Sequence, residues 1–382
     1  MKNKTILILK KELREVFRDK KSLSMMLIIP IMIPFIIIGI SYLFDSQEEK
    51  QKEYGSIGFA YNLNEEDKNI IKELDIKYES NSLEEIKKSY NNKNIFCYIT
   101  KDNNNYTIYY DQNNIDSSTT SLLAEQYLNT LKTYYQNNYL INHNINSQDV
   151  LEIIKINHKS ISKKEDNFYA NYITTYAFLF IIMAITISAT YPATDATAGE
   201  KERGTMETLL TFPIKSKDII IGKFLSVSIS SIITGLLGFI LSLISLKYVE
   251  QNTNIYKGLS LIPNLTTSTI TVLIIISYSF LISGLCIAIA SMSKTFKEAQ
   301  SSLTPITFIS FFPGMISFMV NIKTNFIISI IPFLNYVQIF TDTNSNKINI
   351  LHISAMFIST IIYISIVLSI IIKQYKNEKV LF

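Results

Sequence analysis

Long apolar runs separated by short charged patches dominate the chain. Six of them have the length of a bilayer crossing: Ser22 to Phe44, Phe168 to Tyr191, Phe224 to Leu246, Leu265 to Ser291, Ser302 to Val320 and Ile350 to Ile372. About 20 apolar residues suffice, because a helix rises about 1.5 Å per residue across roughly 30 Å of hydrocarbon. The pattern predicts six transmembrane helices. The first contains Pro30 and Pro34, and the fifth is interrupted by Pro305 and Pro313-Gly314. A further apolar piece, Phe326 to Phe340, holds Pro332 and Asn335 and is short for a span, so segment 321–349 is expected to be re-entrant or interfacial. The first run exceeds a signal-peptide core and no small-x-small pattern precedes Asp45, so it is expected to be a retained helix.

Between the first two runs, residues 45–167 follow another pattern. SIGFAY (56–61), DIKYES (75–80), NIFCYIT (94–100) and YTIYYD (106–111) read as strands, and EEDKNIIKEL (65–74) and NSLEEIKKSY (81–90) as helices. Ser82 with Glu85 forms a capping-box signature. The order strand-helix-strand-helix-strand-strand predicts a small α/β domain. A helix is expected over 117–138, with Leu122, Leu123, Tyr127, Leu131 and Tyr134 on one face, followed by a polar stalk to about Asp166.

The N-terminal segment, 1–21, is amphipathic. Ile6, Leu9, Leu13, Val16 and Phe17 are assigned to one face, and Lys10, Lys11, Arg14 and Arg18 elsewhere. Such a helix is expected to lie in the membrane interface with its basic side towards anionic lipid headgroups. Charge then sets the topology. Charged residues make up 18% of the chain, against roughly a quarter in an average soluble domain, and they cluster outside the apolar runs. All three arginines, Arg14, Arg18 and Arg203, fall on the side that also holds the basic tail KQYKNEK, whereas 45–167 has none. By the positive-inside rule both termini are expected in the cytoplasm and the α/β insert outside. Cys97 and Cys286 lie in different regions, which excludes a disulfide framework, and three scattered histidines give no zinc spacing.

The segment AGEKERGTMETLLTFPIKSKDIIIGK, from Ala198 to Lys223, falls between the second and third runs. Two glycines bracket a charged tetrad, Thr205 is placed to cap a short helix through Phe212, Pro213 stops it, and Ser216 is placed to cap the next. That helix is too short to be stable alone, so Met206, Leu209, Leu210 and Phe212 need a cover, and a partner's groove supplies one.

This segment resembles the intracellular loop of permease subunits of type-2 (type V) ABC exporters. The resemblance is carried by Gly199, Glu200, Glu202, Arg203, Gly204, Thr205, Glu207, Leu209, Leu210, Pro213 and Lys223. KKELREVFRDKKSL (10–23) resembles the family's amphipathic N-terminal helix, the insert resembles that of the NatB-like sodium-efflux branch, and the fifth run with the short piece after it resembles the family's re-entrant outer helices. The resemblance implies an all-α six-helix transmembrane domain with an inserted extracellular α/β domain, in a bacterial plasma membrane. It further implies a coupling loop over 194–223 that docks on a separate cytoplasmic ATPase, and two permease copies, expected to be a homodimer. The chain lacks G-x-x-x-x-G-K-[ST], since Gly222-Lys223 is followed by Phe224. ATP and Mg are therefore expected on the partner, with no cofactor, catalytic residue, metal or nucleic acid bound by this chain.

The substrate path is less legible. Thr186, Thr190, Asp195, Ser279, Ser283 and Thr304 offer oxygen donors to a small cation, and the same hydroxyls equally serve helix packing or bond to their own backbone. Sodium efflux is the expectation from the branch, with peptides or lipophilic drugs as the alternative cargo. A membrane-anchored surface sensor would not need six spans. A secondary transporter is disfavoured because internal repeats and charged midplane residues are not seen.

Overall fold

The structure, a computed structural model, describes residues 4–53, 56–103, 105–111, 115–145, 168–253, 256, 260–320 and 322–376. The expected stalk beyond 145 lies outside them. The chain divides into two units, Met1–Tyr42 with Ser162–Phe382, and Leu43–Ile161.

Two helices open the chain, α1 (Lys4–Arg18) and α2 (Lys20–Glu53). The Leu43–Ile161 unit then runs β1 (Ile57–Phe59), α3 (Glu65–Glu73), β2 (Tyr78–Ser80), α4 (Leu83–Asn91), β3 (Cys97–Asp102), β4 (Asn105–Tyr110) and α5 (Ile115–Asn142). The four strands form one sheet in the order β2-β1-β3-β4. β1 pairs parallel to β2 and β3, and β4 returns antiparallel on β3. Both sheet faces are covered. Phe59, Ile71, Cys97, Ile99, Tyr127 and Leu131 pack together with α3 and α5 on one side. Ile86, Ile95 and Tyr98 pack with α4 on the other. Burial on both faces is what the parallel β1 strand demands, and all three of its residues are buried. Two details differ from the sequence reading. Ser82 makes no side-chain capping bond, and the reciprocal box instead joins Asn64 to Asp67. Leu122 is 64% exposed, because α5 turns Tyr127 and Leu131 inward and Leu122 falls on the opposite side.

The other unit is helical. After α1 and α2 come α6 (Phe168–Thr194), α7 (Thr205–Thr211), α8 (Ser216–Asn252), α9 (Leu265–Ala290), α10 (Phe296–Met319), α11 (Leu334–Asn344) and α12 (Ile350–Lys376). α6 and α9 occupy its centre. α6 packs against α8, α9, α10 and α11, and α9 packs against α8, α10, α11 and α12. Their faces meet in an apolar core that includes Ile182, Ile185, Ile274, Ile275 and Phe340. Phe178 stacks on Phe340 with ring centroids 4.1 Å apart. Among the described residues, five helices are long and apolar enough to cross a membrane: Lys20–Ser46, Ala170–Glu202, Ser216–Asn252, Leu265–Ala290 and Ile350–Tyr375. The fifth run, 302–320, lies in α10 up to Met319, and this helix continues through Pro305 and Pro313 but is not among the five. Lys297, Glu298 and Gln300 occupy its first turns. Residues 326–333 form turns, and α11 then buries Asn335 to Phe340.

Inside the Leu43–Ile161 unit the Tyr127 hydroxyl donates to Asp67 Oδ1 at 2.7 Å, and Asp67 is 1% exposed. Removing that donor leaves a buried carboxylate short of a partner, at about 1–3 kcal/mol. Tyr127→Phe in the full chain is expected to weaken hydrogen-exchange protection of the α3 amides by a corresponding amount and to leave α6 and α9 unchanged.

Candidate functional site

The segment between α6 and α8 is built from short, differently wound pieces. α6 passes into a π-helical turn, Asp195–Gly199, then a single α-helical turn, Glu200–Glu202, before α7 begins. Gly204 sits between them with φ of 69°, a left-handed conformation that glycine adopts without the Cβ penalty. Gly204 is also the residue preceding α7, so Thr205 does not cap it, and its hydroxyl instead donates to the Glu200 carbonyl at 3.2 Å. Ser216 likewise opens α8 without capping it, since the position before the helix is Lys215.

Four sets of contacts fasten this segment. Arg203 Nη1 donates to Asp195 Oδ1 at 2.8 Å, closing the loop on itself. Glu202 Oε2 accepts from the Phe296 amide at 2.6 Å, and Lys201 donates to the Ser291 carbonyl, so the loop also grips the connection between α9 and α10. Lys4 of α1 donates to the Pro213 carbonyl, and Thr5 donates to Asp218 at 3.0 Å. The fourth contact is a buried charge cluster. Lys223 of α8 is fully buried and donates to Glu200 and, at 2.5 Å, to the Ala196 carbonyl. Its ammonium lies 3.3 Å from Glu12 Oε1 of α1. Lys11 reaches Glu200 Oε1 from the other side at 2.6 Å. Burial pushes the Glu12 carboxyl up from its ordinary value, an effect that the Lys223 ammonium opposes.

The cluster rests on a close helix crossing. A Cβ added at Gly222 would stand 2.6 Å from Ile8 Cγ2 and 3.2 Å from the Thr5 carbonyl, so only glycine lets α1 lie this close to α8. The buried stripe of α1 is accordingly Ile8, Glu12 and Val16. Of the apolar face read from the sequence, Val16 alone belongs to this stripe. Ile6 and Phe17 are exposed, Leu9 and Leu13 are half-buried, and Arg14 and Arg18 are exposed. Packing against α8 selected a stripe rotated from the most apolar one, because that stripe delivers Glu12 to Lys223.

In α7, Met206 is buried and Leu209 half-buried, whereas Glu207 and Phe212 are exposed, Phe212 by 56%. The side chain of Leu210 lies outside the described residues. The six oxygen-bearing residues expected to line a path do not come together as one site. Thr186 donates to the Ile182 carbonyl at 2.9 Å and pairs with the Tyr278 hydroxyl at 2.6 Å. Thr190 and Thr304 bond to their own helices, and Thr304 is exposed. Ser283 lies 3.4 Å from Ser231, Ser279 is buried without a partner, and Asp195 is held by Arg203.

Sequence reading missed Glu12 and Lys223 as a pair. The signal was present: Glu12 interrupts an otherwise apolar i, i+4, i+8 stripe, and Lys223 is the only charged residue between Asp218 and Lys247. Lys223→Met leaves two buried carboxylates with only the partly exposed Lys11 ammonium. It is expected to destabilise the docking of α1 by about 3–5 kcal/mol, and adding Glu12→Gln and Glu200→Gln should recover much of that loss. Thermal unfolding of the purified full chain, with protease accessibility of α1, measures both.

Comparison with known proteins agrees with this architecture. Residues 20–369 match the family described as ABC-2 family transporter protein. The ABC transporter permease protein NatB of Bacillus subtilis (strain 168) is 25% identical over 349 residues, covering 87% of this chain and 88% of that protein. A family match over nearly the whole helical unit, on a chain with five helices able to cross a membrane, decides the class: the chain belongs to the ABC-2 family of transporter proteins and is a multi-pass membrane protein.

Proposed function

We propose that this chain is the permease subunit of an ATP-driven exporter that moves sodium out of a bacterial cell. A separate cytoplasmic ATPase docks on the Gly199–Pro213 segment and binds the ATP and Mg. The observation that carries this reading is the fastening of that segment. It is tied to α1, to α8 and to the α9–α10 connection, while Glu207 and Phe212 stay exposed. A push on the exposed side is thus transmitted to several long helices together, which is the requirement for an ATPase to drive a two-state change across the membrane.

In this reading both termini are cytoplasmic, the α/β unit is extracellular, residues 321–349 re-enter the membrane from outside, and two permease copies pair. The exposed side of α1, with Ile6, Leu7 and Phe17 beside Lys10, Arg14 and Arg18, rests on anionic lipid at the membrane surface. Sodium is supported by the resemblance of the insert to that of the sodium-efflux branch. A peptide or lipophilic drug is the second reading. A cavity of about 670 Å³ favours it: Asn171, Tyr172, Ser317, Gln338, Asp342 and His352 are among its lining, and its size suits an organic ligand.

Inverted vesicles containing this chain and its ATPase are expected to take up radioactive sodium on addition of ATP, with an ionophore present to remove any proton gradient. Gly204→Pro should abolish uptake with the protein still in the membrane, because proline cannot adopt the positive φ there. Glu202→Ala, which loses the bond to the Phe296 amide, should reduce it. Unchanged transport in both variants removes the docking role. An intact, ATP-hydrolysing complex that moves no sodium removes sodium as the cargo.

A further inference from the structure

The buried cluster at the base of α1 contains more than an ion pair. Carboxylate oxygens of Glu12, Glu15 and Glu200 all lie within 4.8 Å of one another. The Lys11 ammonium sits against all three, 2.6 Å from Glu200 Oε1, 3.3 Å from Glu12 Oε1 and 3.4 Å from Glu15 Oε2. On the far side, Lys223 holds Glu12 and Glu200. The two ammoniums differ in one respect. The Lys223 side chain is wholly buried, whereas 41% of the Lys11 side chain is exposed. Lys223 is therefore a fixed countercharge, and Lys11 is a cation on a flexible stem that solvent can reach.

One further observation points to an ion. The Tyr375 hydroxyl of α12 is buried, has no hydrogen-bond partner, and lies close enough to Glu200 and Glu12 to interact electrostatically with both. A buried phenol oxygen without a partner, within electrostatic reach of two carboxylates, is a polar atom that an ion or a water would satisfy.

We propose that Lys11 is a tethered occupant of a sodium site formed by Glu12, Glu15, Glu200 and the Tyr375 hydroxyl. When Lys11 swings into solvent, a free Na+ ion replaces its ammonium, one positive charge for another. The donors are all hard oxygens, the type that sodium prefers, and the exchange leaves Lys223 in place. It also releases the Lys11 tie between α1 and Glu200, so occupancy by sodium changes how firmly the segment that meets the ATPase is held. The choice of ion rests on the sodium reading above; the site itself rests on the carboxylates, Lys11 and Tyr375.

The test is equilibrium binding without ATP, on the purified full chain. The thermal midpoint is followed against NaCl, with choline chloride holding the ionic strength. Lys11→Met removes the internal competitor, so its half-saturating sodium concentration should fall at least tenfold below that of the unmodified protein. Glu15→Gln, at the half-exposed ligand, should reverse much of that gain. Sodium-23 relaxation gives a second readout on the unmodified protein and on Glu15→Gln alone, should Lys11→Met fold poorly: broadening that Glu15→Gln diminishes supports the site. A flat sodium response in Lys11→Met, an equal response to choline, or a response to Mg2+ but not to Na+ overturns it. Sodium binding in a complex that transports no sodium removes the transport reading and leaves the site. Sodium transport with no binding response in Lys11→Met removes the site and leaves the transport reading.

Discussion

A lysine ammonium with no exposure to water dictates the arrangement at one end of the helical unit. Lys223 is lost to solvent altogether, and an isolated buried ammonium is costly enough that it would shed its proton or pull water in. Its partners must come from outside α8, because the surrounding turns of that helix are apolar. Glu200 arrives from the turn after the π-helical segment, the Ala196 carbonyl from within that segment, and Glu12 from α1. Three stretches distant in sequence are therefore held to one point. The absence of a side chain at Gly222 is a condition of this, since Ile8 fills the space that a Cβ would need.

The same requirement explains the irregular backbone between α6 and α7. A regular α-helix continued past Thr194 would present successive residues at fixed 100° steps. The π-helical turn Asp195–Gly199 breaks that phase, and such bulges are often found at functional sites. Here the shift accompanies two outcomes: Glu200 is buried against Lys223 while Arg203 returns to Asp195 at the surface. Gly204 then reverses the chain so that α7 can present Glu207 and Phe212 outward with Met206 turned in. Rigidity toward the long helices and exposure on the opposite side come from the same few residues.

The long elements were legible in the sequence because their signal is hydrophobic length. The ends of α9 and α12 fall close to the predicted limits, and the succession of strands and helices in the α/β unit follows from alternation and turn residues. Legibility failed where tertiary contact competes with local pattern. The apolar pattern of α1 did not by itself show that docking on α8 would bury Glu12 between Ile8 and Val16. Ser82 fits a capping sequence, but its hydroxyl makes no such bond, whereas Asn64, which no sequence argument singled out, does. Charge pairing over some two hundred residues of separation leaves no local periodicity to read.

The hydroxyls inside the helices constrain how any cargo crosses. Thr174, Thr186, Ser228, Ser230 and Ser231 each donate to a carbonyl of their own helix, and Thr186 is also engaged by Tyr278. An oxygen in this state keeps a lone pair but has its proton committed. Ser279 and Thr175 differ, being buried with unpaired hydroxyls. Residues that are orphaned in one packing are candidates to gain partners in another, since each unpaired buried hydroxyl disfavours the present arrangement by about 1–3 kcal/mol. Movement of α6 relative to α9, which carry Thr175 and Ser279, would expose both to a new interface. Those are also the two helices at the centre of the unit, and the fastened segment begins directly at the end of α6 and grips the residues just beyond α9. A force applied to that segment therefore acts first on the two helices that carry these unpaired hydroxyls.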